Sequence, residues 1–291
     1  MTTPLIVAGF DGSPESNEAL DWAADEAVAR GSRIEIVSCY RIPPASDVYT
    51  GLAPIELGAE LMDTVSDVAA AARDRILATH PTLDISARVG AGIAAHELVA
   101  RSPDAVELIV LGASSHRSAS AFWLGSTPRA VVRRARCPVV VVRGTAGRGR
   151  PNRVVVGVDG SDNALAALRW AADEADLHGV SLVVVHAWEY PYELSMRTNA
   201  QVHDLMRVDA ALVLDAAVES AREVCDGAVT GELIEASPAS SMIGVVRDCD
   251  LLVLGSRGRG ALMSGLFGST VNRVLDDAVV PVAVVRAEDP R

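Results

Sequence analysis

The second half of this chain repeats the first. Residues Gly9 to Ala27 (GFDGSPESNEALDWAADEA) align without a gap on Gly157 to Ala175 (GVDGSDNALAALRWAADEA), 12 of 19 positions being identical at an offset of 148. Further on, Leu111-Gly112 returns as Leu254-Gly255 and Gly125-Ser126-Thr127 as Gly268-Ser269-Thr270. Pro138 to Arg143 (PVVVVR) returns as Pro281 to Arg286 (PVAVVR), now at an offset of 143. A duplication over most of 291 residues favours two copies of one unit, each long enough to bury its own core. Gly144 to Asn152 (GTAGRGRPN) is rich in glycine and arginine and cannot join a core, so the reading is a first domain over 1–143, a linker over 144–152 and a second domain over 153–291.

Each copy alternates strand and helix. In the second, apolar β-rich runs fall at Arg153–Val158, Leu182–Trp188, Ala228–Ile234, Leu251–Leu254 and Val282–Val285. Helical stretches lie between them at Asp162–His178, about 198–225, Ser240–Arg247 and Ser269–Asp277. The stripe Leu165, Leu168, Ala172 and Ala175 marks the expected buried face of the first helix, and Val208, Leu212, Ala216 and Val218 that of the second. Aromatic residues make up only 4% of the chain, so its core is built from Ala, Val, Leu and Ile, which suits parallel strands covered on both faces by helices. The expectation is an α/β chain of two tandem doubly wound domains, each a five-stranded parallel sheet. Ligands of such sheets bind beyond the carboxyl ends of the strands, where the strand order reverses.

All 26 basic residues are Arg, because the sequence contains no Lys. This excludes a Walker phosphate loop, Schiff-base chemistry and a protein-kinase centre, each of which needs a particular Lys. A net charge of −12 works against a general phosphate-backbone clamp, so nucleic acid is not expected as a partner. The four cysteines, Cys39, Cys137, Cys225 and Cys249, lack a C-x-x-C pair, and the six histidines lack metal-ligand spacing. No run approaches a membrane span and Met1 to Pro4 carry no positive charge ahead of an apolar stretch, so a cytoplasmic location without membrane contact is expected.

The candidate chemistry sits after the first and fourth strands. Gly255-Ser256-Arg257-Gly258-Arg259-Gly260 follows the fourth strand of the second copy, and a helix opens at Gly268-Ser269-Thr270, giving G-x-x-G-x9-G-[ST]. Glycines let backbone amides approach an anion, a helix N-terminus adds N–H donors, and Ser269, Thr270, Arg257 and Arg259 add hydroxyl and guanidinium donors. For an isolated loop of this kind a tight strand-to-helix turn explains the glycines equally well. Here Gly157-Val158-Asp159 lies across from it.

With those residues in place, the sequence resembles the universal stress protein family in its tandem, ATP-binding form, and the resemblance covers nearly the whole chain. It implies the strand order 3-2-1-4-5 in each domain. It also implies ATP bound with the base near Ala187, Gly157 and Asp159 lining the base and ribose region, and the phosphates on Gly255 to Gly260, Gly268, Ser269 and Thr270. Asp159 would assist an accompanying Mg²⁺. The first copy keeps Gly9, Asp11, Gly112, Gly125 and Ser126, and has Cys39 in place of Ala187. Its loop reads Gly112-Ala113-Ser114-Ser115-His116-Arg117, so Ser115 stands where the second copy has Gly258. The second site is therefore expected to bind ATP more tightly than the first. The resemblance further implies domain contact through the last strands, Val139–Val142 and Val282–Val285, whose apolar edges favour pairing, and self-association into a homodimer.

Several residues have plainer readings. Trp22 and Trp170 share a mid-helix repeat position that suits packing, and Arg133-Arg134-Ala135-Arg136 ends a helix whose dipole cations complement. Asp11 and Asp159 precede Gly-Ser at a helix start, where a turn-forming carboxylate serves as well as a ligand-binding one. The functional expectation is an ATP-binding stress-response regulator in which nucleotide occupancy controls conformation or assembly. The alternatives are a slow Mg²⁺-dependent ATPase, and an interaction scaffold whose first nucleotide site is degenerate.

Overall fold

The computed structural model describes residues 3–42, 54–102, 106–113, 124–143, 151–190, 200–246, 250–258 and 268–287. The chain divides into two compact units, Met1–Gly149 and Arg150–Arg291. The first runs β1 (Leu5–Gly9), α1 (Pro14–Arg30), β2 (Arg33–Tyr40), α2 (Pro54–Thr79), β3 (Ile85–Ala91), α3 (Ala94–Arg101), β4 (Val106–Gly112), α4 (Ser126–Arg134) and β5 (Val139–Val142). The second runs β6 (Arg153–Val158), α5 (Asp162–His178), β7 (Ser181–Trp188), α6 (Ala200–Arg222), β8 (Val229–Glu235), α7 (Pro238–Val245), β9 (Leu251–Gly255), α8 (Ser269–Asp277) and β10 (Val282–Val285).

Within the first unit the strands lie in the order β3-β2-β1-β4-β5, and within the second β8-β7-β6-β9-β10, every pair being parallel. The order reverses at β1/β4 and at β6/β9. In the first unit α1 packs beside α2 and α3 beside α4; in the second the pairs are α5 with α6 and α7 with α8. This is the doubly wound arrangement. The central strands are buried on both sides, as in Ile6, Val7, Leu108 and Ile109, and again in Val154, Val155, Val156, Leu252 and Val253. Their unbroken apolar runs follow from that double burial.

The repeated sequence builds repeated caps. The Ser13 and Ser161 hydroxyls accept from the amides of Ser16 (3.1 Å) and Ala164 (3.3 Å), closing the first turns of α1 and α5. Gly31 and Gly179 end the same helices at φ 66° and 54°, the left-handed conformation that a residue without Cβ adopts freely.

Three expectations need correction. Leu168, Ala172 and Ala175 are buried as expected, but Leu165 is only half-buried, and Ala164, Ala167 and Ala171 complete the inner face of α5. On α6 Val218 is buried as expected, with Ala210, Leu214, Ala217 and Ala221 beside it, whereas Val208 and Leu212 are 50% and 61% exposed and Ala216 is exposed as well. This helix carries apolar residues on two faces, and the inner one is seated on β8, where a Cβ at Gly231 would lie 2.9 Å from Val218 Cγ2 and 3.4 Å from Leu214. The helix expected from Ser240 begins at Pro238, since proline is favoured in the first turn, where its missing N–H costs nothing. Trp22 is buried, as a packing role requires, and Trp170 is half-buried.

Among the described residues Cys39, Cys137 and Cys225 are free thiols, and Cys249 lies outside them. Burial pushes the Cys137 thiol up to about 12. Because the thiolate is the reactive form, Cys137 is expected to stay unmodified by a disulfide reagent at pH 8 and to react only after denaturation. Counting modified thiols by peptide mass spectrometry before and after adding guanidinium checks this, and prompt native labelling of Cys137 would contradict it.

Candidate functional site

The site in the second unit begins at the turn between β6 and α5. The Asp159 carboxylate accepts through Oδ1 from the Ser161 amide (3.0 Å), and Gly160 turns the chain at φ 76°. Ser161, besides capping α5, donates through its hydroxyl to the Arg257 carbonyl (3.4 Å), which ties this turn to the loop after β9. The turn-forming role open to Asp159 is thus realised by one carboxylate oxygen. The other oxygen faces Gly258, where a Cβ would lie 2.4 Å from Oδ2.

The loop after β9 is layered by depth. Gly255 lies against the first turn of α5, and a Cβ there would come within 2.7 Å of the carbonyl carbon and oxygen of Asn163. Ser256 is buried; its amide donates to the Val285 carbonyl (2.7 Å) and its hydroxyl to Asn163 Oδ1 (3.1 Å). Arg257 is exposed and Gly258 half-buried. The amide of Gly268 lies 3.5 Å from the Ser256 carbonyl, so the start of α8 closes over this loop. Ser269 is exposed and Thr270 half-buried. The N-cap of α8 is Gly268, which has no side chain to accept from the first amides of the helix.

Ala187 is half-buried near the end of β7, one residue beyond the His186–Val158 pair of the sheet register. His186 is buried, and its Nδ1–H donates to the Val158 carbonyl (2.7 Å), fixing the strand end from which Asp159 projects. Asp159, Arg257, Gly258 and the start of α8 therefore meet at the carboxyl edge of β6 and β9, where the strand order reverses. Gly157 points elsewhere, because a Cβ on it would lie 2.8 Å from Leu254 Cδ2 and Met242 Sδ in the core. Arg259 and Gly260 lie outside the described residues.

The sequence model of the universal stress protein family matches residues 4–143 and again 151–286. The chain belongs to that family. It is 32% identical over 300 residues to the universal stress protein Rv2005c of Mycobacterium tuberculosis, covering 97% of this chain and 96% of that protein. A second universal stress protein of the same organism, Rv2623, is 30% identical over 298 residues with the same coverage. Among solved structures, a universal stress protein from Archaeoglobus fulgidus aligns over 99% of this chain and 100% of its own, with a TM-score of 0.70 at 19% identity, which bears on the fold.

The first universal stress protein domain repeats the turn, and its loop is described as far as Ala113. Asp11 Oδ1 accepts from the Ser13 amide (3.0 Å) and Gly12 takes φ 81°. Gly9 and Gly112 are packing glycines: a Cβ would lie 2.4 Å from Leu111 Cδ2 on the former, and 2.6 Å from the carbonyl carbon and oxygen of Glu15 on the latter. The Gly125 amide donates to the Ala113 carbonyl (2.7 Å), so α4, which starts at Ser126, meets Ala113 as α8 meets Ser256. Cys39 is half-buried at the place of Ala187, and burial, with the Glu97 charge second, pushes its thiol up. Ser114, Ser115, His116 and Arg117 lie outside the described residues, and with them the comparison of Ser115 with Gly258.

Two residues escaped the sequence reading. His186 and Asn163 carry no motif, but the repeat offers a signal: His186 aligns with Ser38, Asn163 with Glu15, and Ser256 with Ala113. Asn163 lies in a stretch, Asp162 to Ala166, that differs from Pro14 to Glu18 at every position, so it is its place beside the site that singles it out.

Among the described residues no helix is long and apolar enough to cross a membrane.

Proposed function

We propose that the second universal stress protein domain binds ATP, and that its occupancy regulates the conformation or assembly of the protein. The observation that supports this reading is the meeting of a glycine-started helix with the Arg257-Gly258 segment at the switch point. Helix N–H donors there have no side-chain acceptor from the cap residue, and Arg257 is exposed beside them. Such a place suits a chain of phosphates. The residues present fit the group: Gly258 and Gly268 leave backbone within reach, Ser269 and Thr270 add hydroxyls, and Arg257 adds a guanidinium. Asp159 is the carboxylate that would hold an accompanying Mg²⁺, and Ala187 the small residue beside which a base would lie. The family signature G-x-x-G-x9-G-[ST] favours ATP among polyphosphates.

A protein that holds phosphates with backbone amides, hydroxyls and Arg, and without Lys, is suited to retain nucleotide. Regulation then follows from linkage, since a ligand bound only by the folded state stabilises it by about 2.7 kcal/mol at a hundredfold excess over Kd. The self-association expected from the sequence is the assembly step that occupancy would shift. Calorimetric titration of the full chain with MgATP, with mass spectrometry of the protein as purified, tests the reading. Saturable binding, with a melting temperature that rises with ATP, is expected. No heat, no shift and no copurified nucleotide would overturn it.

A further inference from the structure

We infer that Asn163 is a positioning residue that preorganises the glycine loop of the second domain, and that its replacement by Glu15 in the first helps make the two sites unequal. The inference rests on the ATP reading above.

The geometry is a three-way junction. Asn163 is the second helical residue of α5, just after the Ser161 cap, and its side-chain oxygen accepts from the Ser256 hydroxyl (3.1 Å) and the Ala287 amide (3.0 Å). One acceptor thus joins three segments: the first turn of α5, the first loop residue after β9 and the chain leaving β10. The Ser256 amide is held by Val285. Ser256 is therefore fixed at both its backbone and its side chain, and it is 2% exposed. The next residues, Arg257 and Gly258, are those that face the site. Their amides inherit the orientation that Ser256 is given.

The Ser256 hydroxyl belongs to this junction, so it is a supporting group where the sequence reading had placed it among the ligand-holding ones. The first domain cannot build the same junction. Ala113, the counterpart of Ser256, has no hydroxyl; its amide keeps the bond to the Val142 carbonyl (3.1 Å), so the backbone half of the arrangement survives and the side-chain half is missing. Glu15, the counterpart of Asn163, places a carboxylate where the second domain has a neutral amide. The asymmetry lies in described residues and stands apart from the Ser115 substitution.

A preformed loop loses less conformational freedom when a ligand arrives, so breaking the junction weakens binding even though Asn163 does not touch the ligand. Of the two bonds that Asn163 accepts, the one from Ser256 bears directly on the loop, and the net contribution of a single hydrogen bond corresponds to a loss of up to about tenfold in affinity.

The test is hydrogen exchange by mass spectrometry on the full chain, first without nucleotide and then across an ATP titration. Wild type is compared with Asn163→Ala, Asn163→Asp and the first-domain pair Asn163→Glu with Ser256→Ala. In nucleotide-free protein the 256–258 amides of Asn163→Ala and of the double variant are expected to exchange several-fold faster. Asn163→Asp, which keeps an acceptor oxygen at the same distance from the backbone, is expected to restore slow exchange. The ATP concentration that half-protects this segment is expected to rise up to about tenfold in the first two variants, while protection around Gly112 in the first domain stays unchanged. Unchanged exchange in Asn163→Ala would overturn the junction. Faster exchange with unaltered ATP protection would overturn its bearing on affinity. If ATP protects neither domain of the wild type, it is the ATP reading that fails, and exchange in the nucleotide-free proteins still decides whether Asn163 holds the loop.

Discussion

Gly255→Ala is expected to destabilise the second unit by about 3 kcal/mol, toward the upper end of what overpacking costs, because the new methyl group would meet backbone. The Cβ would lie 2.7 Å from the carbonyl carbon and oxygen of Asn163 and 2.9 Å from the amide of Ala164. A flexible side chain could swing away, but the first turn of α5 is capped by Ser161 and joined to Ser256, so relief requires the helix to move off the sheet. Gly112→Ala is expected to do the same in the first unit, where Glu15 and Ser16 supply the obstructing backbone at 2.6–2.9 Å. Urea unfolding followed by peptide-resolved hydrogen exchange separates the two units. Each substitution is expected to lower the midpoint of its own unit by far more than that of the other. A change below about 0.5 kcal/mol, the size of an ordinary surface substitution, would mean that helix and strand are less closely seated than described.

The reasons behind Gly255 and Gly112 illustrate what a sequence can and cannot show. Both glycines were legible as loop residues of a repeated motif, and both stand at the carboxyl ends of β4 and β9 as expected. Their missing side chains, however, serve the close approach of α1 and α5, and only Gly258 of the three faces Asp159. Nothing local in G-x-x-G distinguishes a glycine that admits a helix from one that admits a ligand. The strands and the helices at Asp162–His178 and Ser269–Asp277 were readable because period, caps and breakers agree there. The inner face of α6 was not, because Val208 and Leu212 repeat as regularly as Ala210, Leu214 and Ala217, and periodicity alone does not say which stripe meets the sheet. The Asn163–Ser256 bond spans 93 residues of sequence. Each residue looks unremarkable alone, and only the alignment of the two halves, with Glu15 and Ala113 in their places, marks the pair as a difference.

Gly268→Asp is expected to move stability and binding in opposite directions. A Cβ at Gly268 would lie 3.6 Å from the Ser256 carbonyl oxygen and from Val271 Cγ2, and 3.8 Å from Arg257 Cα, all ordinary contacts. The backbone there, φ −55° and ψ 132°, is open to any residue. Gly268 is the N-cap of α8, and aspartate is among the best residues for that position, improving on glycine by a few tenths of a kcal/mol through a bond to the first amides of the helix. The nucleotide-free variant is therefore expected to melt at or slightly above the wild-type temperature. The same carboxylate would compete for the helix amides proposed to hold phosphate, and two anions drawn to one set of donors sit on the order of 4 Å apart. Like charges at that distance repel by about 4 kcal/mol at an effective dielectric of 20, a figure that screening and an accompanying cation reduce, so an affinity loss of about a hundredfold or more is expected in calorimetry. Loss of ATP binding with the fold intact would assign the phosphates to the start of α8. Undiminished binding in a normally stable variant would place them elsewhere, because the aspartate side chain could not share those amides with a polyphosphate.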